Sequence, residues 1–110
     1  MAIKVQNTVC FSEIFDFAEK KYGIVWNDSC DIFHRKEVLT YKETNNFEPN
    51  VLCENIDNKR TLGDDTLKVF NSITDEDVNA EENEWRKAHL IIIRFMQDND
   101  VTQLLVLNDC

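Results

Sequence analysis

Glycine and proline are nearly absent, with two Gly and one Pro in 110 residues. Gly23 and Gly63 stand forty positions apart. No Gly-rich turn therefore exists to cradle a phosphate, which excludes P-loop and dinucleotide-binding fingerprints. The same scarcity excludes collagen-like and low-complexity chains. Long apolar runs are missing too. No run exceeds four residues, as in Leu90-Ile91-Ile92-Ile93, whereas a membrane span needs roughly 20. The segment after Met1 holds no apolar stretch of leader length, so no secretory signal is expected. The last residues, Asn108-Asp109-Cys110, do not form a prenylation box.

Basic charge is also in deficit. Twelve Lys+Arg stand against 21 Asp+Glu, a net charge of −9. The nearest basic cluster is His34-Arg35-Lys36, with Lys42 beyond. That is no stripe for phosphate backbones, so direct nucleic-acid binding is not expected.

Reactive constellations are equally thin. The four cysteines are Cys10, Cys30, Cys53 and Cys110, and the closest two are 20 residues apart. Zinc sites favour tight Cys pairs, and none occurs. Cys30 and His34 are four apart and share a helical face, but two ligands make no site. Asp98-Asn99-Asp100 lacks the glycine and the distal glutamate of a calcium loop. Any Cys can be paired on paper with His34 or His89, yet no nucleophile signature surrounds them. Paired carboxylates of the glycosidase kind belong to larger scaffolds with a groove. The expectation is a protein without catalytic activity, cofactor or metal. With no leader, a cytoplasmic location is expected, where the cysteines stay thiols and Cys10 and Cys30 pack as small hydrophobes.

What is present is one domain's worth of core. Hydrophobic residues make up 43% of the chain, and residues 1–110 read as a single α+β domain with no linker. The clearest element is an N-terminal helix, capped by Ser12 and ended by Gly23. Phe11, Ile14, Phe15, Ala18 and Tyr22 fall on one of its faces. A short apolar run, Ile24-Val25-Trp26, follows, and a brief helix is predicted from Cys30 to Lys36. Glu37–Lys42 and Val51–Ile56 read as short strands around a loop at 43–50. A further helix opens near Thr61 and runs to about Asn71.

The last third carries two readings. Thr74 with Asp77 forms a capping pattern, and acids precede Arg86, Lys87 and His89. This order suits an acidic helix near 75–88. The β-branched stretch 89–97 and the strand-like 101–107 then form a C-terminal β-hairpin about the turn at Asp98-Asn99-Asp100. The alternative is a longer helix over 81–97 followed by a lone strand. Three consecutive Ile residues favour the hairpin.

Function is sought in the charge distribution. Residues 74–84 carry six of the net nine negative charges. Asp75, Glu76, Asp77, Glu81, Glu82 and Glu84 form this run, and Asp64 and Asp65 lie just before it. Such acids are either a solvated helix face or a docking surface for a basic partner. Trp85 beside Glu84 is either a core residue or a hot spot within an acidic rim. Acidic surfaces meet the basic proteins that bind nucleic acid. The expected function is therefore an immunity protein or inhibitor that neutralises a basic toxin, most naturally a nuclease domain. A phage-type nucleic-acid mimic is the alternative, and an adaptor or regulatory protein the third. Clustering in one segment favours a single cognate protein over a mimic, whose carboxylates follow phosphate spacing. A strand at 101–107 on a sheet edge would also offer β-augmentation.

Overall fold

The computed structural model describes residues 6–26, 37–44, 46, 48–54 and 63–107. Along them run β1 (Gln6–Cys10), α1 (Phe11–Tyr22), β2 (Glu37–Tyr41), β3 (Val51–Glu54), α2 (Asp64–Ser72), α3 (Asp75–Ala80), α4 (Glu84–Asp98) and β4 (Gln103–Leu107). The strands form one mixed sheet in the order β1-β4-β2-β3. The β1–β4 pair is parallel, and β2 runs antiparallel to both β4 and β3. The fold is α+β, as expected from the sequence.

Period-two alternation decides which strand residues meet the helices. The register pairs Leu39 with Leu104, Tyr41 with Val51 and Val9 with Val106. These six side chains share one face and join Ile14, Ala18 and the buried side of α4 in a single core. On the opposite face Thr40 and Gln103 are both fully buried, and the Gln103 amide donates to the Thr40 hydroxyl at 3.0 Å. That bond gives the buried amide nitrogen an acceptor and offsets part of the cost of placing a polar pair in the sheet centre.

The helix α1 forms where expected, but it starts earlier. Its N-cap is Cys10, not Ser12, and the Glu13 carboxylate accepts from the Cys10 backbone N–H at 2.7 Å. Gly23 ends it in the left-handed region, with φ of 67°. Cys10 itself is disulfide-bonded, which corrects the expectation of free thiols. That expectation rested on compartment, whereas pairing depends on which sulfurs the fold brings together. The side chains of Cys30, Cys53 and Cys110 lie outside the described residues, as does the expected helix 30–36. The strand β1 had no counterpart in the sequence reading.

The C-terminal third follows the alternative layout, in part. Residues 89–97 are helical within α4, so the hairpin is corrected. The reason is burial on nearly every side: Ala88, His89, Leu90, Ile91, Ile92, Ile93, Phe95 and Met96 are all buried. Helix propensity disfavours Ile by a few tenths of a kcal/mol, up to about 0.7. Burying the same side chain contributes roughly 1.5–3 kcal/mol, so packing overrides propensity.

The turn chemistry at 98–100 is real, but it caps a helix. Asp100 adopts a positive φ of 53°. The Asp100 N–H donates to the Gln97 carbonyl and the Val101 N–H to the Met96 carbonyl, each at 3.1 Å. This is a Schellman closure with aspartate where glycine is usual. The chain then enters β4, which lies between β1 and β2 inside the sheet. It is no exposed edge, so the β-augmentation expectation at 101–107 is corrected.

The expected acidic helix 75–88 is also divided. Thr74 caps α3 as predicted: the Thr74 N–H donates to the Asp77 carboxylate at 2.8 Å and the Asp77 N–H to the Thr74 hydroxyl at 3.4 Å. At Asn83 a second cap intervenes, accepting from the Arg86 N–H at 3.0 Å, and α4 starts afresh. The break at 81–83 directs the two helices separately.

Candidate acidic-rimmed groove

The acids of the sequence reading are sorted by helix geometry. Asp64 and Asp65 open α2, Asp75, Glu76 and Asp77 open α3, and Glu84 opens α4. Each set faces the positive end of a helix macrodipole, where a carboxylate contributes typically 0.3–1 kcal/mol. Much of the negative charge is thus placed by local helix energetics.

Three of the acids are engaged inside the chain. Asp77 caps α3. Glu81 pairs with Arg86 at 3.8 Å and accepts from the Asn83 N–H at 3.3 Å. Asp75 stands at the centre of a network. Its carboxylate accepts from the Tyr22 hydroxyl at 2.6 Å and from Arg94 Nε at 3.0 Å, with Lys21 at 3.7 Å. Arg94 also donates to the Ile73 carbonyl at 3.1 Å and to the Gln97 side chain. Gln97 in turn donates to the carbonyls of Phe70 and Ile73, at 2.7 and 3.0 Å. These bonds serve the C-terminal end of α2, which has no basic residue in its last turn. The Tyr22 hydroxyl, then Arg94 and Lys21, hold the Asp75 carboxyl below its usual range. Burial, with Asp75 alongside, pushes Tyr22 up to about 12.

Glu82 and Glu84 behave differently. Neither makes an ion pair or side-chain hydrogen bond among the described residues. Both line a groove of about 570 Å³ between the segment after α1 and the first turns of α4. Ile24, Val25 and Trp26 form one wall. Trp85, Ala88 and Ile91 form the other, at the three-residue spacing of one helix face, with Lys87 beside them. The large hydrophobics exposed among the described residues are Val25, at 74%, and Trp85, at 60%. Both belong to this groove. Trp85 is therefore a surface residue, and the core reading of it is set aside.

The walls are held from behind. Trp26 packs edge-on against Phe15, with ring centroids 6.0 Å apart. The Trp85 ring lies 5.2 Å from that of His89. His89 is only 6% exposed, and its Nδ1 accepts from the Val51 N–H at 3.2 Å, tying α4 to β3. An accepting Nδ1 requires the proton of the neutral ring to sit on Nε2, which is buried with no hydrogen-bond partner among the described residues. Burial, and secondarily Arg86, push the His89 pKa down from the ordinary 6.5.

The structure therefore brings together Glu82, Glu84 and Trp85 out of the nine expected site residues. Asp64, Asp65 and Glu76 lie elsewhere on the surface, and Asp75, Asp77 and Glu81 are committed to caps and ion pairs. The wall at 24–26 and the His89 support were not anticipated. An apolar triplet placed after a helix-ending glycine was the available signal. Among the described residues no three His, Cys, Asp or Glu side chains gather as metal ligands, and no helix is long and apolar enough to cross a membrane. Comparison with protein-family models, curated proteins and solved structures returns no match for this chain.

Proposed function

We propose that the protein is a non-catalytic binding module that docks a basic protein partner on the Trp85 groove, and that it acts as an immunity or inhibitor protein toward a nuclease-type toxin. One observation carries this reading. The exposed large hydrophobics Val25 and Trp85 and the uncommitted carboxylates Glu82 and Glu84 border the same groove. An apolar centre with a charged rim is the anatomy of a protein–protein hot spot. Carboxylates at the rim accelerate encounter with a cationic surface and repel nucleic acid and acidic proteins. A duplex mimic needs carboxylates spread along an extended face. Here Asp75, Asp77 and Glu81 are drawn into internal contacts, which favours a single cognate partner.

The cytoplasmic placement rests on the sequence alone. The Cys10 disulfide weighs against a reducing compartment, and thiol titration of the native protein separates the two. The functional reading is tested by titrating the chain against the basic nuclease domain encoded nearest to its gene, at low and high salt. Tight binding with loss of nuclease activity is expected. Reversal of Glu82 and Glu84 to lysine is expected to slow association at least tenfold at low salt, a change of about 1.4 kcal/mol. Unaltered nuclease activity at saturating protein overturns the inhibitor reading.

A further inference from the structure

We infer that the groove takes one arginine side chain of the partner together with an adjoining apolar residue. This rests on the reading of the Trp85 face as a docking surface and specifies its chemistry. The rim supplies two carboxylates, Glu82 and Glu84, and one opposing cation, Lys87. Its formal balance of −1 complements a single positive charge and disfavours a lysine-rich cluster. Trp85 is 60% exposed, and its indole is a platform for cation–π stacking. A planar guanidinium stacks on an indole and offers a forked donor set to a carboxylate, which a compact ammonium does not. Ile24, half-buried, and Val25, exposed, line the facing wall of the groove. They offer an apolar surface for an arginine stem or a neighbouring leucine. A volume of about 570 Å³ lies within the usual range for pockets that enclose a ligand.

The two tryptophans of the chain are Trp26 and Trp85, and both line the groove. The indole N–H region of a ¹⁵N NMR spectrum thus reports on this site alone. The probe is an end-capped Leu-Arg-Leu peptide titrated into the full chain, with Leu-Lys-Leu and Leu-Gln-Leu as comparisons. Both indole signals are expected to move saturably with Leu-Arg-Leu, roughly threefold more weakly with Leu-Lys-Leu, and not with Leu-Gln-Leu. The Glu82→Gln/Glu84→Gln variant is expected to lose the arginine response while retaining its native spectrum. An equal response to the glutamine peptide, a response that survives in this variant, or no response at all overturns the assignment. Failure here is distinguishable from failure of the docking reading. In the first case the charge-reversed protein still loses its basic partner while the peptides are silent. In the second the arginine peptide binds but no basic protein does.

Discussion

Asp75 and Glu84 are nine residues apart and each opens a helix, yet they do opposite things. Asp75 is hydrogen-bonded to Tyr22 and Arg94 and joins α1, α3 and α4. Glu84 faces a groove and, among the described residues, pairs with nothing. The same holds between Asp77, which closes a cap, and Glu82, which does not. A run of acids is therefore not one feature. Those with a donor within reach serve the fold, whereas Glu82 and Glu84 are left to border the groove.

This contrast can be broken most forcefully at Arg94. Arg94→Ala strips donors from Asp75, Ile73 and Gln97, and is expected to cost about 2–3 kcal/mol in chemical denaturation. A loss below 0.5 kcal/mol would mean that the Asp75 cluster is no more structural than the groove.

His89 gives the next effect, and its sign follows from its environment. Its folded-state pKa lies below the ordinary 6.5, so the unfolded chain binds the proton more readily. Stability is complete above pH 6.5 and is lost as pH falls from there toward the folded value, at up to about 1.4 kcal/mol per pH unit. Protonation also places a hydrogen on Nδ1, where the Val51 N–H bond requires a lone pair. Urea unfolding of the native chain at a series of pH values, set against His89→Gln, checks this. A slope that persists in the variant belongs to other groups.

Asp75→Asn comes third, at about 1 kcal/mol, because the side chain is 46% exposed and solvent screening reduces its worth. The depressed carboxyl pKa stabilises above the usual value of 3.8 and loses that contribution as pH falls through the folded value. The variant should therefore lose part of the acid dependence of the parent. Smallest is the Glu82→Gln/Glu84→Gln pair, expected to change stability by about 0.5 kcal/mol, the worth of the Glu84 carboxylate at the start of α4. A larger loss would move these acids into the structural class.

The first helix was legible because its signals agree: an apolar face, acids first, lysines last and a glycine at the end. The helix α4 was not, since its three consecutive β-branched isoleucines argue for a strand and outweighed the helical face that the same segment carries. Asp98-Asn99-Asp100 was correctly read as a reversal of the chain, but left-handed backbone serves a helix end as well as a hairpin. The edge strand β1 contains Gln6, Asn7 and Thr8 and shows little of the β-type alternation that marked β2. For the groove, Glu82, Glu84 and Trp85 could be read as neighbours in the chain. Ile24, Val25 and Trp26 stand about sixty positions earlier, and only the packing of α1 against α4 makes them the facing wall.

The strand order has a bearing on how the molecule assembles. The strand latest in the chain among those described sits between β1 and β2, in contact with the earliest. Until residues 103–107 emerge from the ribosome, β1 has no partner among the described strands and β2 lacks its β4 neighbour. Closure of the sheet must then wait for synthesis of β4, which favours a concerted, slow collapse over a stepwise one.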